Sequence, residues 1–141
     1  MKILVSGCLL GLCCRYDGKS KPNEKVIALG KTHELIPVCP EQMGGLPTPR
    51  PPCELQDGRV ISNIQIDCTK EFTKGAQEAY YIYRLMQCEC AILCDKSPSC
   101  GSHFVYDGTF SGTLREGQGL TASLLMKEGV DVYAQGDDFP F

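Results

Sequence analysis

"DCTKEFTKGAQEAYYIYRLMQCECAILC", residues 67–94, decides the fold. Phe72, Ala76, Ala79, Tyr83 and Met86 recur at spacings of four, three, four and three, so they share one face of a helix predicted over residues 67–88. The apolar run that follows, residues 91–94, reads as a buried strand, so the helix crosses over a sheet. Working outward, Lys2–Ser6 is a first short strand stopped by Gly7, and Glu34–Val38 a second. A short helix is expected over residues 24–29, closed by Gly30, and a further one over Leu120–Lys127, ended by Gly129. Phe104–Tyr106 and residues 130–134 complete the set as strands. Strands alternating with helices predict an α/β domain with a mostly parallel sheet, one domain over residues 1–141. Between residues 40 and 59 the chain carries Pro40, Pro47, Pro49, Pro51 and Pro52, a density expected to exclude helix and central strand. That stretch is read as a long ordered loop, of the kind that usually carries function.

The composition, 43% hydrophobic and 22% charged, is that of a globular protein without repeats or low-complexity segments. A net charge of -3 and a pI near 5.3 leave no broad basic face for duplex nucleic acid. No stretch approaches the ~20 apolar residues of a membrane span. Ten cysteines in 141 residues is the unusual figure, and its meaning depends on the redox compartment. Residues 1–8 imitate a lipoprotein cleavage box, a lysine and an apolar run ending in Gly7-Cys8. That run is shorter than a signal-peptide core of about 7–15 residues, so the expectation is a cytoplasmic protein with reduced thiols.

Cys8, Cys39 and Cys100 each fall in a loop after a predicted strand. Ligands of parallel sheets bind beyond the carboxyl ends of the strands, so one rule gathers these three thiols at one edge. Glycine adjoins Cys8 and Cys100, letting backbone approach a soft metal or an iron–sulfur cluster. Cys39 is followed by Pro40 and Glu41, a carboxylate able to face whatever the thiol holds. Against this stands packing, the usual fate of a free cysteine, and the reading adopted for Cys53, Cys68, Cys88, Cys90 and Cys94. Cys13 and Cys14 lie near Cys8 and are read either way. No Cys-x-x-Cys pair is present and His33 and His103 lack ligand spacing, which argues against a zinc ribbon or thioredoxin motif, although zinc on three dispersed thiolates stays open. Ser97 and Ser99 suit turn hydrogen bonding, and Arg50 is expected to pair with Glu54 or another acid, or to orient an anion from its proline frame.

Four blocks, "SGCLLGLCCRYDGKSK", "PVCPEQMGGLPTPRPPCE", "SPSCGSHFVYDGTFSG" and "GQGLTASLL", in this order over nearly the whole chain, resemble the thiouracil desulfidase family of small bacterial proteins. The resemblance implies a Rossmann-like, three-layer α/β fold holding a [4Fe-4S] cluster on Cys8, Cys39 and Cys100, with no protein thiolate on the fourth iron. It further implies that the open iron binds the sulfur of a thiolated uracil or uridine while water attacks the carbon, with Glu41 as acid/base and Ser97 as a catalytic serine. A small thiolated pyrimidine is then the partner, rather than nucleic acid or membrane. One departure is local: family members often carry a Leu-Lys pair where this chain has Leu93-Cys94. The alternatives to this reading are a non-catalytic metal or cluster module, and a protein whose thiols only pack.

Overall fold

The computed structural model describes residues 1–141. Four strands form the central sheet: β1 (Lys2–Ser6), β2 (Glu34–Val38), β5 (Cys90–Leu93) and β8 (Val132–Ala134). They lie in the order β2-β1-β5-β8, every neighbouring pair parallel. Ile3, Leu4, Val5, Ala91, Ile92 and Leu93 are fully buried. Burial from both sides is why these strands read as continuous apolar runs instead of alternating ones. After β1 the chain moves to β2 on one side, then returns to β5 on the other, so the order reverses between β1 and β5. That reversal opens a crevice at the carboxyl ends, the usual place for a ligand in such sheets.

The helices follow the expected pattern with shifted ends. α1 (Glu24–Ala28) begins where the Asn23 side chain accepts the Val26 N–H at 3.1 Å, and a 3-10 turn, Leu29–Lys31, takes over its last expected residue. α3 (Thr69–Leu85) is shorter than expected at both ends. It buries Phe72, Ala76 and Ala79, with Tyr83 and Met86 half-buried on the same face. α4 (Leu120–Lys127) has the expected bounds and packs on α3. The expected strand over residues 91–94 starts and ends one residue earlier, and the last strand begins at Val132 instead of 130.

The proline-rich stretch departs from expectation. Pro40 opens a short helix, α2 (Pro40–Met43), because its missing N–H costs nothing at a first helical position. Past the last proline, β3 (Cys53–Gln56) and β4 (Arg59–Ser62) form an antiparallel hairpin. Its turn is Asp57-Gly58, both with positive φ, 48° and 79°, the backbone that a two-residue hairpin loop requires. A second hairpin pairs β6 (Phe104–Tyr106) with β7 (Leu114–Glu116), a strand not anticipated. Leu55, Val60, Cys68, Phe72 and Val105 make a small apolar cluster that joins both hairpins to α3 beside the crevice. α2 is set against α3 through two glycines: a Cβ on Gly75 would overlap the Pro40 carbonyl, and one on Gly44 the Glu71 carbonyl.

Candidate functional site

A cavity of about 400 Å³ lies at the carboxyl ends of the sheet strands. Cys8 enters it from the 3-10 turn Gly7–Leu10 that follows β1 directly. Cys39 sits between β2 and α2, with its thiol donating to the Cys14 carbonyl at 3.5 Å. Cys100 comes from the loop after β5, which is held by two side chains. Asp95 Oδ1 accepts the N–H groups of Ser102, His103 and Phe104 at 3.1 to 3.2 Å, and Ser97 Oγ accepts those of Ser99 and Cys100 at 3.0 and 3.1 Å. Only glycine fits at position 101, where a Cβ would lie 2.6 Å from the Phe104 carbonyl oxygen. All five residues singled out from the sequence, Cys8, Cys39, Cys100, Glu41 and Ser97, line this one cavity.

The cavity holds more thiols than expected. Cys14 and Cys94, with Cys53, also line it; Cys13 is exposed, and Cys88 and Cys90 are buried in the core. Hydrogen bonding to Cys14, then burial, pushes the Cys8 and Cys39 thiols up, and burial pushes Cys100 up to about 12. Cys14 is held down, by its bonds to Cys39 and Cys8 and by the Arg50 charge; Cys94 is lowered to about 7, through its bond to Cys8 and the charges of Lys21 and Arg15. The sequence signal for these two was proximity to Cys8 and the Leu93-Cys94 departure.

The carboxylate is set by Arg50, which pairs with Glu41 and not with Glu54. Its Nε donates to Glu41 Oε1 at 2.9 Å, Nη2 to the Cys14 carbonyl at 2.8 Å, and Nη1 to Thr48 Oγ1 at 2.9 Å and the Pro47 carbonyl at 3.2 Å. The Arg50 side chain is 3% exposed and that of Glu41 17%. The second Glu41 oxygen faces Ser97 Oγ at 3.5 Å. Glu54 instead accepts the N–H groups of Gly108 and Phe110 at 3.0 and 3.1 Å, fixing the β6–β7 loop so that Phe110 and Tyr106 close one wall. Neither aromatic was singled out from the sequence, although "VYDGTF" lies within a block quoted above, and Glu54 was named only as a partner for Arg50.

The donor set suits an iron–sulfur cluster. It is all sulfur, drawn from three separate loops, and no three His, Cys, Asp or Glu side chains converge as a single ion would require. A polynuclear cluster takes each thiolate on a different iron, so its ligands stand apart. Arg15, Lys21 and Arg50, which line the same cavity, offset part of the negative charge that three thiolates and a cluster bring.

Comparison with known proteins agrees with this geometry. The chain is 36% identical over 145 residues to "Uncharacterized protein YbbK" of Bacillus subtilis (strain 168), covering 96% of each. It superposes with a TM-score of 0.89 on a solved structure of the [4Fe-4S]-dependent thiouracil desulfidase TudS, at 43% identity, over 94% of this chain and 89% of that one. The model of a family described as 2-thiouracil desulfurase matches residues 3–137, which is to say every strand of the sheet and every wall of the cavity, and the chain belongs to that family.

Proposed function

We propose that this enzyme converts a thiolated uracil or uridine and water into the oxygen analogue and hydrogen sulfide, without net redox chemistry, using a [4Fe-4S] cluster held by Cys8, Cys39 and Cys100. The observation that carries the reading is the meeting of three strand-end thiols with an arginine-fixed carboxylate and a hydroxyl in one cavity. Bound there, the cluster supplies a Lewis-acidic iron free of protein thiolate, able to polarise a C=S bond as metals polarise carbonyls.

The rest is the work of the chain. Arg50 occupies Glu41 Oε1 and leaves Oε2 to take a proton from water. Ser97 Oγ already accepts two backbone N–H groups, so its own hydrogen is directed to Glu41. The hydroxyl thereby acts as a donor that steadies the Glu41 carboxylate beside the reacting water. Tyr16, Tyr106 and Phe110 offer apolar faces to a planar base and keep bulk water from the reacting carbon. The net charge of -3 favours a free base or nucleoside over an intact nucleic acid. Ten free thiols suit a reducing, cytoplasmic setting, and no helix is long and apolar enough to cross a membrane.

The test is sulfide release from 2-thiouracil, 4-thiouracil and 4-thiouridine by anaerobically reconstituted protein. Glu41→Gln, with its iron content unchanged, is expected to lose about 10²- to 10⁴-fold in kcat. Undiminished turnover would remove Glu41 from the mechanism; no turnover of any thiolated pyrimidine by the wild type would leave a non-catalytic cluster module.

A further inference from the structure

Cys94 packs in the core and also lines the cavity, outside the expected ligand set. It directly follows β5, whose neighbour β1 runs parallel to it and leads through Ser6 and Gly7 to Cys8. Ser6 Oγ accepts the Cys94 N–H at 2.9 Å, so the two strand ends are fastened together at the point where the sheet order reverses. Both side chains enter the cavity from these fastened ends. Two thiols delivered from neighbouring strand ends suit the same position of a cluster, reached from either side.

We propose that Cys94 is an alternate thiolate ligand for the iron otherwise held by Cys8, so that four thiols serve three cluster positions. The proposal rests on the cluster reading above. In the exchange, Cys94 gives its proton to solvent as its sulfur bonds the iron, while the Cys8 sulfur leaves that iron and takes up a proton; no electron changes hands. Cys14 is the competing thiol, since it too lines the cavity, but its carbonyl accepts from the Cys39 thiol and sets it beside that position.

The experiment compares iron and acid-labile sulfide per chain after anaerobic reconstitution, with EPR of the reduced cluster. The proteins are the wild type, Cys8→Ser, Cys8→Ala, and Cys8→Ser combined with Cys94→Ser or with Cys14→Ser. Cys8→Ala decides if a serine hydroxyl at this buried position prevents folding. The single Cys8 variants are expected to keep at least about half the wild-type iron and sulfide, with a shifted EPR signal, and the Cys94 double variant to keep less than about one tenth. The Cys14 double variant is expected to match Cys8→Ser. Empty Cys8 variants beside a loaded wild type would overturn the proposal and leave the cluster reading standing, as would a Cys94 double variant as full as Cys8→Ser. A wild type without iron would sink both.

Discussion

Arg50 has every donor nitrogen engaged, and two of its four partners belong to residues that line the site, Glu41 and Cys14. A lysine there keeps the charge but not the fork. Arg50→Lys is expected to lower kcat by about 10-fold or more with a smaller change in KM, because Glu41 is misplaced, and to destabilise the fold by about 1–3 kcal/mol through the carbonyls left unpaired. Steady-state kinetics and thermal melts check both, and a lysine variant with wild-type kcat would mean that Glu41 is fixed by something else. At this scale the sequence was informative about residue types and weak about pairs. Cys8, Cys39 and Cys100 were legible because each follows a strand. The partner of Arg50 was not, because Glu54 is closer in sequence and only the turn of the chain through Pro47–Pro52 brings Arg50 back onto Glu41. Cys94 was taken for a packing thiol because burial and lining a cavity are the same thing for a small side chain at a strand end.

Among the elements, α2 and α3 are held together by the close approach at Gly75. By helix propensity alone Gly75→Ala would stabilise α3 by about 1 kcal/mol. The overlap with the Pro40 carbonyl outweighs that, since α2 must move off the helix and carry Glu41 with it. A net loss of about 1–3 kcal/mol is expected in chemical denaturation, with reduced activity in the folded protein; a neutral or stabilised alanine variant would contradict the packing account. The start of α3 has its own pH signature. Asp67 is held down at about 2, first by the Thr69 hydroxyl and backbone N–H and then by Arg59. The folded pKa lies below the unfolded one of about 3.9, so this stabilisation is full above pH ~4 and is lost as pH falls through about 2. Melts of wild type and Asp67→Asn should differ at pH 5 and converge toward pH 2, whereas a constant gap would place the effect elsewhere. The parallel strands and α3 were readable because their apolar patterns are strong. β3 and β4 were hidden by the prolines before them, though Asp57-Gly58 is a hairpin signal that the proline count overshadowed. β7 was hidden for a different reason: its three residues are all exposed, so no apolar pattern marks it.

For the whole molecule, the reversal of strand order between β1 and β5 does what no single motif does. It delivers cysteines far apart in sequence to one crevice and lets two small hairpins roof it. The convergence of strand-end thiols follows from parallel topology, and so it was visible before any coordinates. The walls, made of Tyr106, Phe110 and the Glu54 tie, depend on hairpin packing and were not. The central claim is that three of these thiols hold a cubane cluster. The most direct measurement is iron and acid-labile sulfide per chain after anaerobic reconstitution, in the wild type and in Cys39→Ser. About four of each in the wild type, with a clear loss in the variant, is the predicted result. Iron and sulfide absent from both proteins, or equal in both, would contradict it.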